Sequence, residues 1–294
     1  MSRTSAALAT LLCTALALCV SARAAGHAVW WLDVLNNAPQ LAVGAAVLLA
    51  LLLADLGAWS AADITLWVGA TFLPAPVTTI RANSDGTTGT TVLLANVHIH
   101  NPDIGPLLAL IHAEDPDIIG LLEVDERKLA ALDGLDATYP CHRVVPRSDS
   151  FGVALWSRDA DCTLTTELLG DPELPSLRLE QDGTTYWLTH TRPPRNHQDA
   201  AARDAHLRAV AAVLAEPGTV VLGDLNATPY SAHFPRTGTP ALPTWPSALP
   251  VVARLALDHV LSSDDVELHG LRVGAAVGSD HRPVLAEVVG GAAR

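Results

Sequence analysis

Positive charge is scarce in this sequence. From Val77 onward there is one lysine, Lys128, and the formal net charge of the chain is −13. No cluster of basic residues interleaves with aromatics, which argues against a surface built to grip nucleic-acid backbones non-specifically. Cysteine is sparse as well, at four residues. Cys13 and Cys19 sit in an apolar run, so a structural zinc held by thiolates has no framework. No Gly-rich phosphate loop and no nucleophile elbow occurs, which removes the usual carriers of nucleotide binding and serine-ester chemistry. Repeats, long charge runs and low-complexity linkers are also lacking.

What the chain has in excess is apolar sequence at its start. Hydrophobic residues make up 49% of it, with a mean hydropathy of +0.28, and the surplus lies in residues 1–76, whose only basic side chains are Arg3 and Arg23. Runs over about 5–22, 39–54 and 59–76 are expected to be transmembrane helices, the last weakened by Asp63. The first also reads as a signal peptide, because Ala22–Ala24 has the small-x-small pattern of a cleavage site. With three spans, or with two after cleavage, parity leaves the remainder, 77–294, outside the cytoplasm. A multi-pass protein of the cell membrane with an extracytoplasmic domain is the expectation. Cys141 and Cys162 flank a hairpin pattern in that domain, and the sequence is compatible with both a disulfide and two free thiols.

Residues 77–294 alternate short apolar runs with amphipathic helices, interrupted by hairpins. "TVLLANVHI", "DIIGLLEV", "FGVALWS", "TTYWLTH" and "GTVVLGDLN" read as strands. "NPDIGPLLALIHAEDP" reads as a helix started by Asn101, and "NHQDAAARDAHLRAVAAVLAE" as one of about five turns. The mixture suits an α/β fold of sheets packed face to face with helices outside. A proline-rich stretch, 229–250, is the longest irregular piece and carries Phe234 and Trp245, residues suited to a lipid interface or to covering a cleft.

Several of these apolar runs end in polar groups: Asn96, Glu123, His190, Asp224 with Asn226, Asp258 with His259, and Asp280 with His281. Burying one such group without a partner costs several kcal/mol, roughly, so their repeated placement implies that they meet one another or a cation. Carboxylates and amides without thiolates favour a hard cation, Mg²⁺ foremost, with Mn²⁺ or Ca²⁺ as alternatives. Imidazoles add a proton relay, and the combination fits metal-assisted attack of water on phosphorus. His259 follows Asp258 on a strand and should point to the opposite face. His98 and His100 alternate with Val97 and Ile99 and read as a polar strand face, with a place lining the cleft as the alternative.

The motifs "LLAN", "PDIIGLLEV", "THTRPP", "VVLGDLNATP", "LALDHVL" and "GSDHRPV" resemble, in order and style, the endonuclease/exonuclease/phosphatase superfamily, whose fold is that of DNase I. The likeness covers nearly all of 93–288 and looks closest to the membrane-anchored bacterial branch. It implies a four-layer sandwich of two mixed β-sheets with helices outside. It also implies a site in which Asn96, Glu123 and Asp280 hold the metal. Asp224 would then orient or deprotonate water, Asn226 and His190 would contact the phosphate, and Asp258 would set the charge and tautomer of His281. Arg192 and Arg282 lie beside motif residues and are candidates for binding substrate phosphate. The expected partners are the lipid bilayer and a phosphorylated lipid or small molecule, with nucleic acid as the lesser alternative.

Overall fold

The structure is a computed structural model that describes residues 3–26, 28–55, 58–70 and 89–290. The end of the third expected span, 71–76, and the expected domain start at Val77 lie outside the described residues. The chain divides into two units, Met1–Val77 with Pro229–Ala232, and Thr78–Thr228 with His233–Arg294.

The first unit consists of helices α1 (Arg3–Ala25), α2 (Trp30–Asn36), α3 (Pro39–Asp55) and α4 (Trp59–Ala70). Small side chains let their backbones approach. Ala22, Ala42, Ala46, Ala50 and Ala62 are buried, whereas Leu11, Leu41, Leu48, Leu51 and Ile64 are exposed. Gly69 is required where α4 crosses α3, since a Cβ there would come within 2.5 Å of the Ala46 Cβ. The buried Asp33 carboxylate accepts hydrogen bonds from Ser231 Oγ (2.9 Å) and the Ala232 amide (2.8 Å) in the same unit. Among the described residues no single helix is long and apolar enough to cross a membrane; α2 and α3 pass that test only together, bent by 69°. The spans read from the sequence over 5–22, 39–54 and 59–76 coincide with α1, α3 and the described part of α4, and none of these helices meets that test alone.

The second unit holds two mixed sheets. One has the order β10-β11-β1-β2-β4-β3 and the other β5-β6-β7-β8-β9. The strands are β1 (Thr90–Asn96), β2 (Ile118–Leu122), β3 (Cys141–Val145), β4 (Val153–Ser157), β5 (Thr163–Glu167), β6 (Ser176–Gln181), β7 (Thr184–His190), β8 (Thr219–Asp224), β9 (Asp258–Ser262), β10 (Val266–Val273) and β11 (Val284–Gly290). Between β1 and β2 stands α5 (Gly105–Glu114), after β2 α6 (Glu126–Leu132), and before β8 α7 (His197–Leu214).

Side chains alternate along each strand, and the two-residue period sorts them into layers. Val92, Leu94, Ile118, Leu122, Leu188, Val220, Leu222 and Val260 fill the space between the sheets. The intervening residues Leu93, Ile119 and Leu121 pack under α5 and α6 with Leu107 and Ile111. Val221 and Leu261 pack under α7 with Leu207 and Val210. This is the expected arrangement of two sheets with helices outside. The sheets come close enough at Gly120 that a Cβ would lie 2.8 Å from Leu188.

Local differences from the sequence reading have simple causes. Helix α5 starts at Gly105 with Pro106 in its first turn, not at Asn101. Asn101 Oδ1 accepts from the Asp103 amide and Asp103 Oδ1 from the Gly105 amide, so both side chains serve turns that precede the helix. Strands β5 and β6, "TLTTE" and "SLRLEQ", carry too many polar residues to stand out by hydropathy. Cys141 and Cys162 are joined, with their Cα atoms 6.4 Å apart, which ties β3 of one sheet to the start of β5 in the other.

A buried polar chain fastens α7 to its sheet. Ser176 Oγ lies 2.7 Å from Thr189 Oγ1, which lies 2.7 Å from His206 Nε2. His206 is fully buried, and burial lowers its pKa from 6.5 to about 4, with Asp171 opposing. The unfolded chain takes up this proton below about 6.5 while the folded protein resists it to about 4. Stability should therefore fall as pH drops through that window and level off below it, by about 3 kcal/mol from this group. Urea titrations from pH 7 to 4 should show a shallower slope for His206→Gln than for the unaltered chain; equal slopes would refute the assignment.

Candidate active site

The interior between the sheets turns polar at one end because the inward-facing rows of four strands finish there in polar residues. On β1 the row Val92, Leu94 ends in Asn96. In the other sheet His190 of β7 pairs in register with Asp224 of β8, and Asp224 with Asp258 of β9. Directly opposed residues share a face, so these three side chains form one row. All four are at most 3% exposed.

Glu123 should by alternation follow Ile119 and Leu121 to the outer face. Its backbone instead takes φ 63°, a left-handed conformation that turns the carboxylate into the cleft. There Glu123 Oε1 accepts from Asn96 Nδ2 (3.0 Å) and Oε2 from the Ile99 amide (2.7 Å). Asn96 Nδ2 also donates to Asp224 Oδ2 (3.1 Å), which bridges the two sheets. The loop before β11 completes the group: Ser279 Oγ donates to the Asn96 carbonyl (2.7 Å) and accepts from the His281 amide (3.1 Å).

His281 lies between two carboxylates, with Nδ1 2.8 Å from Asp258 Oδ2 and Nε2 3.7 Å from Asp224 Oδ2. Burial opposes its positive charge, but Asp258 and Asp224 overcome this and raise its pKa to about 10. His190 Nε2 lies 3.5 Å from Asp224 Oδ2. Burial again opposes protonation, and Asp224 outweighs it, so His190 is also raised. Burial would lift Asp224, but His281 and His190 hold it well below the usual carboxylate range. The group is a carboxylate flanked by two imidazolium-prone rings.

Asn226 adopts φ 45°, directs Nδ2 to the Thr191 carbonyl (2.9 Å) and lies 3.4 Å from His190 Nε2. Asp280 receives the Trp245 indole N–H at Oδ2 (3.1 Å). Arg192 is bound at 2.6 Å by both Asp171 and Glu173, so its charge is already balanced by two carboxylates. Arg282 donates its amide to the Thr244 carbonyl and leaves Nε buried without a hydrogen-bond partner. His259 points away from this group as alternation requires, with Nε2 2.9 Å from the Ala227 carbonyl and its ring against Phe234.

Residues 83–281 match the Endonuclease/Exonuclease/phosphatase family. The chain belongs to that family. Several solved structures share the fold. Humanized D. rerio TDP2 superposes with TM-score 0.54 at 13% identity, covering 69% of this chain and 100% of that one. The human nocturnin catalytic domain with bound sulfate gives 0.52 at 17%, covering 69% and 94%. The 3′ phosphatase NExo from Neisseria, bound to a product DNA hairpin, gives 0.52 at 18%, covering 68% and 99%. No curated protein matches the chain in sequence. As a member of the endonuclease/exonuclease/phosphatase family the protein is a phosphoester hydrolase.

Family members depend on a divalent cation, and the residues present fit one. Glu123, Asp224, Asp258 and Asp280 bring four carboxylates together with an amide, and the groups paired with them there among the described residues are imidazoles. Asp258 Oδ1 and Asp280 Oδ1 are buried without a hydrogen bond. Asp224, Asp258 and His281 have donor atoms within 4.8 Å of one another. The 2.8 Å contact of His281 Nδ1 to Asp258 marks them instead as a proton-holding array. The oxygen-rich side, Glu123 with Asn96 and Asp280, is the better fit for a hard ion.

The sequence reading undervalued two residues. His98 is not on a strand: β1 ends at Asn96, whose Oδ1 accepts the His98 amide (3.0 Å) and turns the chain, giving His98 φ 56°. Phe151, in the β3–β4 turn, packs 5.2 Å from the His190 ring. No periodicity marks a turn residue, so only the fold brings Phe151 to the cleft.

Asp224→Ala and His281→Ala should each lower kcat for phosphoester hydrolysis by at least about a hundredfold. His259→Gln should lower thermal stability and leave kcat in place. Near-normal turnover in either alanine variant, or loss of turnover in folded His259→Gln, would overturn the arrangement.

Proposed function

We propose that the protein is a membrane-anchored, divalent-cation-dependent phosphohydrolase. It cleaves a phosphate ester or pyrophosphate of a lipid or similar small molecule, with the catalytic unit on the extracytoplasmic side. The observation that carries the lipid part is the packing of the first unit, in which alanines make up much of the interior and many large apolar side chains, Leu11, Leu41, Leu48, Leu51 and Ile64 among them, lie outside. In water so much exposed apolar surface is an aggregation liability. In hydrocarbon it is ordinary, because helices there associate through small residues and leave leucines to the acyl chains. The bent α2–α3 pair supports a crossing by length and composition. Anchoring would hold the site where lipid phosphates are locally concentrated, and a net charge of −13 disfavours a polyanion.

Asn96, Glu123 and Asp280 would hold the divalent cation; when bound it supplies Lewis-acid neutralisation of a phosphoryl oxygen. Asp224, kept ionised by its histidines, is a poor proton acceptor and a good orienting group for the attacking water. Asn226 offers Nδ2 to a phosphoryl oxygen. His190 and His281 face Asp224 from two sides, and both favour the protonated form that stabilises charge developing on the phosphoryl group. Asp258 holds the Nδ1 proton of His281, leaving Nε2 to face the cleft. Arg282 adds positive potential beside it, whereas the charge of Arg192 is taken up by Asp171 and Glu173.

The full chain in detergent or liposomes should be assayed with Mg²⁺ or EDTA against prenyl pyrophosphate, phospholipid, lysophospholipid and plasmid DNA. Cation-dependent phosphate release from a lipid is the expected result. Nicked plasmid without lipid turnover would replace this reading with that of an extracytoplasmic nuclease, and no turnover of any substrate would favour a binding protein of the same fold.

A further inference from the structure

His98 stands in the cleft with no role in the scheme above. Its Nδ1 lies 3.2 Å from Asp280 Oδ1 and 3.9 Å from Glu123 Oε2, carboxylates from two different chain segments. Asp280 Oδ1 is nevertheless buried without a hydrogen bond, so the nitrogen and the oxygen are close but out of line with each other. Two donors placed side by side, each directed past the other, suit a shared third atom better than a proton between them. Neighbouring donors around an octahedral ion with bonds of about 2.1 Å are separated by about 3 Å, close to the 3.2 Å between His98 Nδ1 and Asp280 Oδ1, while Glu123 Oε2 stands farther off at 3.9 Å.

The surroundings hold His98 in this position. The other oxygen of Asp280 is fixed by Trp245 Nε1 at 3.1 Å, and Glu123 by Asn96 and the Ile99 amide. The His100 ring meets His98 edge-on at 5.5 Å. The turn that gives His98 φ 56° is fixed at both backbone groups, its amide donating to Asn96 Oδ1 (3.0 Å) and its carbonyl accepting from the Asn101 amide (2.9 Å). About one third of the side chain remains exposed, so an ion can reach it from solvent.

We propose that His98 is a nitrogen ligand of the divalent-cation site, so that the site has a mixed oxygen–nitrogen donor set and prefers Mn²⁺ or Co²⁺ to Mg²⁺. Imidazole suits first-row transition ions, whereas Mg²⁺ selects oxygen. This rests on the reading that Glu123 and Asp280 hold the ion, and it sets the identity of that ion independently of the substrate.

The test measures metal binding to the full chain in detergent, with Mn²⁺, Co²⁺ and Mg²⁺ alone as probes, by calorimetry and by the visible absorption of bound Co²⁺. His98→Ala should weaken Mn²⁺ and Co²⁺ by about tenfold or more while changing Mg²⁺ little, and should alter the Co²⁺ spectrum. His98→Asp, which returns an oxygen donor, should recover binding with the preference moved toward Mg²⁺. Pulsed electron resonance of bound Mn²⁺ should show coupling to nitrogen that disappears in both variants. An equal loss for all three ions, an unchanged Mn²⁺-to-Mg²⁺ ratio, or no nitrogen coupling in the unaltered chain would each overturn the proposal. Should Glu123→Gln leave metal binding untouched, the underlying site assignment fails instead. Absence of lipid turnover alone would leave the ligand assignment standing.

Discussion

Asp224 carries one negative charge, and three groups converge on its Oδ2: Asn96 at 3.1 Å, His190 at 3.5 Å and His281 at 3.7 Å. Its Oδ1 takes the amide of Asn226 at 3.0 Å. Because Asn96 belongs to one sheet and His190 and Asp224 to the other, this carboxylate is one of the points where the two halves of the sandwich meet in polar contact. Buried at 2% exposure, it is viable only while those partners remain, since an unpaired charge in that position would cost several kcal/mol, roughly. The catalytic arrangement and the closure of this end of the sandwich thus depend on the same contacts.

The site is also where backbone conformation departs from the ordinary. Of the five non-glycine residues with positive φ among those described, three are His98, Glu123 and Asn226. Each follows a strand end, and each is turned by a local hydrogen bond or by the cleft itself. A strand offers its residues only two directions; a left-handed residue at its end opens a third. That is how Glu123 leaves the outer-face register of Ile119 and Leu121 to meet Asn96. Strain of this kind persists where surrounding contacts hold it, and here those contacts are made by the same side chains that define the cleft.

Charge distribution links the two units chemically without reference to their placement. The second unit gathers four carboxylates in one cleft with imidazoles among them, a donor set that invites a divalent ion. The first unit has almost no charge and turns its large apolar residues outward. On the proposed reading, a cation-binding cleft and a membrane-anchored helical unit in one chain suit a phosphoester substrate that is itself amphipathic.

Much of the fold and site was legible in the residues. The apolar runs, their polar ends and the spelling of "GDLN" and "SDHRP" pointed to the sandwich, to the family and to Asn96, Glu123, His190, Asp224, Asp258 and His281, because strand period two assigns faces and burial demands partners for polar groups. His259 was correctly separated from Asp258 by the same alternation. Other features depended on long-range geometry. Arg192 looked free to bind phosphate, and only folding brings Asp171 and Glu173 to it from about twenty residues upstream. His98 looked like part of a strand until the Asn96 side chain ended that strand. Trp245 could face lipid or the cleft by its chemistry, and its hydrogen bond to Asp280 puts it at the cleft. Local pattern decides which residues must be buried and on which face. Which of them touch is decided when two sheets close on each other, because those contacts join segments that no short-range period connects.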